Sequence, residues 1–136
     1  MSQKLTSSME DYLEAIHVLA LKNGHVRVKD IAKAVEKTMP SVSGAVKKME
    51  QMGLVCHPRY DLVGLTPEGA LQAERIYERH RLIRDFLSDV IGVDAACAET
   101  DACHIEHVVS EATLAGFTRL LKETRQRSSH AEGGGR

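Results

Sequence analysis

The sequence lacks tryptophan and has few other aromatic residues, with two Phe and three Tyr among 136 residues. No apolar run approaches the ~20 residues that a membrane helix needs. The opening residues Met1–Lys4 also lack the charged-then-apolar design of a signal peptide. We therefore expect a soluble, cytoplasmic protein. Its three cysteines are an odd number, which excludes a pure disulfide framework and leaves free thiols or metal ligands.

The net charge is only −1, which excludes a wholly basic nucleic-acid coat protein and an acidic disordered chain. This balance hides an uneven distribution. The basic segment, residues 25–60, holds seven Lys or Arg against three acidic residues. The acidic segment, residues 85–111, holds seven acidic residues and no Lys or Arg. Both could be ordinary solvated surfaces, but they also suit a polyanion partner and a bound cation, respectively.

Helical periodicity dominates the first 53 residues. Apolar residues recur at helical spacing from Met9 until Asn23-Gly24, and a short second helix is predicted over 28–35. A third helix begins after Thr38, with Pro40 near its first position, and ends at Gly53. Two β-prone runs, 54–57 and 62–65, then predict a small hairpin.

The second half of the chain is predicted to be helical. A long helix begins at Thr66-Pro67-Glu68 and ends at Gly92, and further helices are expected around 101–110 and 111–123. The last residues lack core-forming side chains, so we expect a disordered tail over 126–136. The predicted organisation is an N-terminal domain of three helices and a hairpin over 1–66, a helical domain over 67–125, and this tail.

Helix, short helix, helix and hairpin is the order of a winged helix-turn-helix, whose third helix can enter the major groove while the hairpin wing rests on the backbone. An alternative is an amphipathic helix whose polar side merely meets water. The predicted DNA contacts are Lys33, Thr38, Pro40, Ser41, Ser43, Lys47, Lys48 and Arg59. Because one such domain binds weakly, we expect a homodimer that reads two half-sites of double-stranded operator DNA.

Cys103, Glu106 and His107 follow the i, i+3, i+4 spacing that places side chains on one helix face. Thiolate, carboxylate and imidazole together suit a first-row dication. The alternative is a small buried cysteine beside two surface residues. Asp11 and Glu14 on the first helix could add oxygen ligands, although a helix-dipole or surface role would also explain them. His80 could be a ligand or a hydrogen-bonded interior imidazole.

Taken together, these patterns resemble the metal-dependent repressors of the diphtheria toxin repressor and manganese transport regulator family. The segments that carry the resemblance are Ser8–Glu14, Pro40–Ser43, Gly53–Val55, Arg79–Leu82 and Cys103–His107. It implies a mostly α protein, with an N-terminal winged helix-turn-helix followed by an α-helical dimerisation domain, in the two-domain form without the SH3-like domain.

The resemblance also implies a set of metal ligands. The positions that match the manganese type are Asp11, Glu14, His80, Glu106 and His107. Cys103 matches the iron type instead, and the iron type usually has Met where this chain has Asp11. Arg84 and Glu99 occupy positions where the iron type's ancillary site has Glu and His.

We thus expect a metal-activated DNA-binding transcriptional repressor that controls metal-ion homeostasis, with no enzymatic activity and no organic cofactor. Ligand softness favours Fe(II) slightly over Mn(II), and Zn(II) and Co(II) should bind in vitro. The ligand set could hold one ion or a carboxylate-bridged pair. One alternative is a winged-helix regulator that is independent of metal or that responds to thiol oxidation at Cys97 and Cys103. The other alternative is a small metalloenzyme.

Overall fold

The computed structural model describes residues 5–57 and 62–134. The chain divides into two compact units, Met1–Ile76 and Tyr77–Arg136. This division falls ten residues beyond the predicted domain boundary, because helix α4 starts in the first unit and continues into the second. Within the described ranges, none of the helices combines the length and the apolar character that crossing a membrane requires.

Three helices build the first unit: α1 (Ser7–Asn23), α2 (Val28–Val35) and α3 (Met39–Gln51). Helix α1 is capped by Thr6, whose side chain accepts a hydrogen bond from the backbone N–H of Met9. Thr38 caps α3 in the same way, and Pro40 lies in its first turn as predicted.

Three short strands complete this unit: β1 (Val26–Arg27), β2 (Val55–Cys56) and β3 (Leu62–Leu65). They form an antiparallel sheet in the order β1-β3-β2, so β2 and β3 are the predicted wing hairpin. No sequence pattern indicated β1, which has only two residues. The predicted DNA contact Arg59 lies outside the described residues.

The core of the first unit is apolar and draws on every helix. Leu13, Ile31, Val42, Val46 and Met49 are completely buried. The inward side of α3 therefore carries Val42, Val46 and Met49. This packing fixes α2 and α3 as the helix-turn-helix pair and leaves the opposite side of α3 exposed.

The second unit contains the end of α4 (Pro67–Phe86), a π-helical turn over Leu87–Ile91, α5 (Ala95–Ile105) and α6 (Glu111–Gly134). Gly92 ends the π-helical turn in a left-handed conformation, as the sequence suggested. The predicted helix at 101–110 is wrong in its bounds. It begins at Ala95, because the Asp94 carboxylate accepts from the N–H of Cys97, and it ends before the turn at His107.

The expectation of a disordered tail is corrected in this unit, because α6 continues as a helix as far as Gly134. Just before the tail, Arg125 donates hydrogen bonds to the carboxylates of Asp85 and Asp89, which anchors this part of α6. Val108 lies three residues beyond the end of α5 and is 82% exposed. The apolar core is small here. It centres on Ile83, Ala102 and Leu114, with Phe86 and Phe117 stacked nearby at 4.1 Å between ring centroids.

Candidate metal centre

The second unit places a histidine and a glutamate in contact in its interior. His80 lies on α4 and Glu106 caps the end of α5, and both are at most 3% exposed. His80 Nδ1 is 2.9 Å from Glu106 Oε2. Buried charged or polar groups are costly unless partners satisfy them, so two such side chains in a small core indicate a functional role.

Glu106 is only partly satisfied. Its second oxygen, Oε1, is buried and has no hydrogen-bond partner within the described part of the chain. The closest cationic candidate is His107, whose Nε2 lies 3.5 Å away, beyond good hydrogen-bond geometry. A buried carboxylate oxygen in this condition is a ready acceptor for a cation.

Cys103 and His107 extend this cluster. Cys103 Sγ is 3.9 Å from His80 Nδ1, and the His107 side chain is 7% exposed. The prediction that Cys103, Glu106 and His107 share one helix face is wrong in detail, because α5 ends at Ile105 and His107 follows in a turn. The structure nevertheless brings four of the six predicted metal ligands together within the second unit.

The other two predicted ligands, Asp11 and Glu14, belong to the first unit. They lie one turn apart on α1, where Asp11 is exposed and Glu14 is half-buried. Their spacing lets two carboxylates project from neighbouring positions of one helix. Their part in metal binding stays a prediction.

Glu99, which is not among the predicted ligands, also contacts His80. Its Oε1 is 2.9 Å from His80 Nε2, and the group of His80, Glu99 and Cys103 is close enough to share one ion. The i, i+4 spacing of Glu99 and Cys103 on α5 was the available signal. The corrected start of α5 at Ala95 is what places both residues on the same helix.

The donor set fits a divalent first-row metal ion. Two imidazoles, a thiol and a buried carboxylate offer the mixed nitrogen, sulfur and oxygen ligands that such ions accept. The partly satisfied Glu106 supplies the structural reason to expect a cation. Cys97 does not join this cluster. Its hydrogen bond to Asp94 raises the pKa of the Cys97 thiol, which disfavours the reactive thiolate that a redox switch needs.

The predicted DNA-contacting side of the first unit is open to solvent. The exposed members of the predicted set are Lys33, Thr38, Pro40, Ser41, Ser43, Lys47 and Lys48. Thr38 and Ser41 also serve the helix itself, since the Thr38 hydroxyl donates to Ser41 Oγ and accepts from the Ser41 N–H. A polar and basic surface on α3 thus accompanies an apolar inner side, as a DNA-reading helix requires.

Comparisons with known proteins match both halves of the chain. The family model described as "Iron dependent repressor, N-terminal DNA binding domain" matches residues 4–63. The model described as "Iron dependent repressor, metal binding and dimerisation domain" matches residues 66–132. The HTH-type transcriptional regulator MntR of Shouchella clausii is 40% identical over 105 residues, covering 77% of this chain and 73% of that protein.

Solved structures show the same relationship. The manganese regulator SloR matches with a TM-score of 0.74 and 30% identity over 87% of this chain. The IdeR protein of T. acidophilum matches with a TM-score of 0.72 and 25% identity over 93% of this chain. The chain spans 55% of the length of each of these two structures. The chain belongs to the iron-dependent repressor family, whose members are metal-dependent transcriptional regulators rather than enzymes.

Proposed function

We propose that this protein is a transcriptional repressor of metal-ion homeostasis that binds operator DNA as a homodimer when it holds Fe(II) or Mn(II). The proposed ligands are His80, Cys103, Glu106 and His107 of the second unit, together with Asp11 and Glu14 of α1. A regulator that binds chromosomal operators would act in the cytoplasm.

Glu106 is the observation that carries this proposal. A carboxylate that is almost completely buried, with one oxygen lacking a hydrogen bond, lies between two histidines of the same unit. Such a group is destabilising in a purely structural role, because its desolvation is poorly compensated. A divalent cation would compensate it.

Charge supplies the proposed link between metal and DNA. Asp11 and Glu14 carry negative charge, as does the acidic segment that contains Cys103, Glu106 and His107. We infer that this like-charge repulsion disfavours the DNA-competent state of the metal-free protein. Neutralisation by a dication removes the repulsion, and a coupling of about 1–3 kcal/mol is typical of such linkage.

Two features bear on the choice of metal. Cys103 and the two histidines are ligands that favour Fe(II), Co(II) or Zn(II), whereas the carboxylates also suit Mn(II). The solved relative SloR is a manganese regulator. We propose Fe(II) as the slightly preferred ion because of the thiol, with Mn(II) as the competing one, and we expect Zn(II) and Co(II) to bind in vitro.

The first unit supplies the proposed DNA contacts. Ser41, Ser43 and Lys47 on α3 would face base edges in the major groove, while Lys33 and Lys48 would neutralise phosphates. Thr38 and Pro40 would place the start of that helix against the sugar-phosphate backbone of the DNA, and Arg59 would contact a phosphate from the wing.

Operator binding with and without metal tests the proposal. An operator is first selected from random duplex DNA in the presence of Fe(II), and its affinity is then measured anaerobically with Fe(II), Mn(II), Zn(II) or chelator. We expect affinity to rise about 5- to 150-fold with the preferred ion. Equal affinity after thorough chelation would contradict metal activation.

Glu106→Ala gives the matched test of the site. We expect this variant to remain folded but to bind the operator with the same weak affinity in metal and in chelator. Asp101→Ala is the control, since Asp101 is an exposed carboxylate on the same helix α5. Full metal response in Glu106→Ala would exclude the proposed site.

A further inference from the structure

The two ring nitrogens of His80 face different carboxylates. Nδ1 lies 2.9 Å from Glu106 and 3.9 Å from Cys103 Sγ, so this nitrogen points toward proposed metal ligands. Nε2 lies 2.9 Å from Glu99 Oε1. An ionised carboxylate can only accept a hydrogen bond, so each contact favours a hydrogen on the ring nitrogen that it faces. A metal ion bound by Glu106 and Cys103 would replace the hydrogen on Nδ1 and leave the one on Nε2, which faces Glu99.

A cationic side chain already occupies the far side of Glu99. Arg84 Nη1 lies 3.9 Å from Glu99 Oε2. Arg84 is itself held by Asp85, whose Oδ1 accepts from its Nε at 3.2 Å and from its Nη2 at 3.1 Å. The positive charge beside Glu99 disfavours a second dication on the Nε2 side of His80.

We propose that Glu99, supported by Arg84, is a positioning residue that holds His80 in the tautomer with hydrogen on Nε2 and thereby presents Nδ1 to the metal ion. This inference rests on the proposed function. A histidine that binds a metal through one nitrogen commonly donates its other N–H to a carboxylate, which fixes the ring and makes it a better ligand. Here both partners come from this unit, His80 from α4 and Glu99 from α5.

The proposal separates Glu99 from the ligands. Glu99 is about half exposed, at 53%, whereas the Glu106 side chain is fully buried. A half-exposed carboxylate paired with an arginine is suited to orient a neighbour, and the buried carboxylate with an unsatisfied oxygen is suited to bind the ion. Loss of Glu99 should therefore weaken metal binding without abolishing it.

Zn(II) affinity of the full chain, measured by competition with a chelating dye, tests the size of the effect. We expect Glu99→Ala to weaken Zn(II) binding about 10-fold, the lower end for an orienting partner. Glu99→Gln keeps an oxygen acceptor for the Nε2 hydrogen and should recover part of that loss. Asp101→Ala, which removes an exposed carboxylate two residues away, should match the wild-type protein.

Nitrogen-15 NMR of the Zn(II)-loaded protein distinguishes a positioning role of Glu99 from a merely structural one, because it reports which His80 nitrogen binds zinc and which carries hydrogen. The His80 signals, assigned by their loss in His80→Gln, should show Nδ1 bound to zinc and Nε2 bonded to hydrogen. In Glu99→Ala, the Nε2 hydrogen should exchange with water much faster.

Several outcomes would overturn the inference. Zinc on Nε2 would make Glu99 and His80 co-ligands, and unchanged Zn(II) affinity in Glu99→Ala would leave Glu99 without a role. Both results would leave the proposed function intact. Failure of the wild-type protein to bind any of the tested metals would instead overturn the proposed function, and this inference with it.

Discussion

The two units of this protein bury different kinds of side chain. The first unit closes over a continuous apolar cluster that includes Leu13, Ile31 and Val46. The second has a much smaller apolar cluster and buries His80 and Glu106 beside it. Buried apolar side chains stabilise a fold whether or not a ligand is bound, whereas a buried titratable group is costly unless a partner compensates its desolvation. The first unit therefore depends mainly on apolar packing, whereas the second buries polar groups that a bound cation would compensate, as proposed.

The largest expected effect is on the tight packing of the first unit. The backbone of Gly69, in the first turn of α4, approaches Leu54 so closely that an added Cβ would overlap the Leu54 carbonyl. We expect Gly69→Ala to lower the free energy of unfolding by about 3 kcal/mol, measured by urea denaturation.

Gly44→Ala is the matched control for that variant. A Cβ at Gly44 would meet no atom within 4 Å, and the position lies inside α3. Alanine should raise stability there by up to about 1 kcal/mol through helix propensity. Similar effects of the two substitutions would show that the packing around Leu54 is looser than the structure indicates.

The next prediction concerns the polar interior of the second unit. Metal at 100 times its dissociation constant should stabilise the protein by about 2.7 kcal/mol. Hydrogen exchange should locate the added protection in α5 and the turn at His107, with little change in α2 and α3. Added protection at Asp11 and Glu14 would support their proposed role as ligands.

Glu106→Gln sharpens this measurement, because it keeps the shape of the side chain and removes its charge. We expect metal to give this variant no added protection. Equal protection of both units in the wild-type protein would contradict the division of roles between them.

A smaller effect is expected at the turn between α2 and α3. Glu36 ends α2 with a φ of 57°, in the left-handed region that disfavours side chains with a Cβ. Glu36→Gly should raise the free energy of unfolding by about 0.5 kcal/mol, since relief of strain exceeds the added entropy of the unfolded chain. Glu36→Ala, which keeps the Cβ, should give no such gain in the same urea titration.

The smallest effect should depend on pH. The pKa of Asp94 is lowered from 3.8 because its carboxylate accepts a hydrogen bond from the backbone N–H of Cys97 at the start of α5. A group with a lowered folded-state pKa contributes stability above its unfolded pKa and loses it as the pH falls through the folded value.

Asp94→Ala should therefore be less stable than the wild-type protein at pH 7, with the difference disappearing in strong acid. Asp94→Ser keeps a capping oxygen without a carboxylate and should show no such pH dependence. A constant difference between the wild-type protein and Asp94→Ala at all pH values would contradict the role of the charged cap. Urea denaturation across the pH range measures both.

Much of the first unit could be predicted because its signals are local. Apolar periodicity located α1 and α3, and Thr38 and Pro40 located the start of α3. Strand β1 could not be predicted, because its two residues are extended only by pairing with β3. Helix α5 was misplaced because its small alanines give no apolar period, although they favour helix strongly.

The sequence by itself determined the residue types of the candidate metal centre, the charge of each segment and the order of the helices and the wing hairpin, since these follow from composition and short-range spacing. Tertiary structure decided which atoms meet. Only the packing of α4 against α5 pairs the two nitrogens of His80 with Glu99 and Glu106, and only burial leaves one Glu106 oxygen without a hydrogen bond. The physical reason is that desolvation and hydrogen-bond partners depend on residues distant in the chain, which no local pattern specifies.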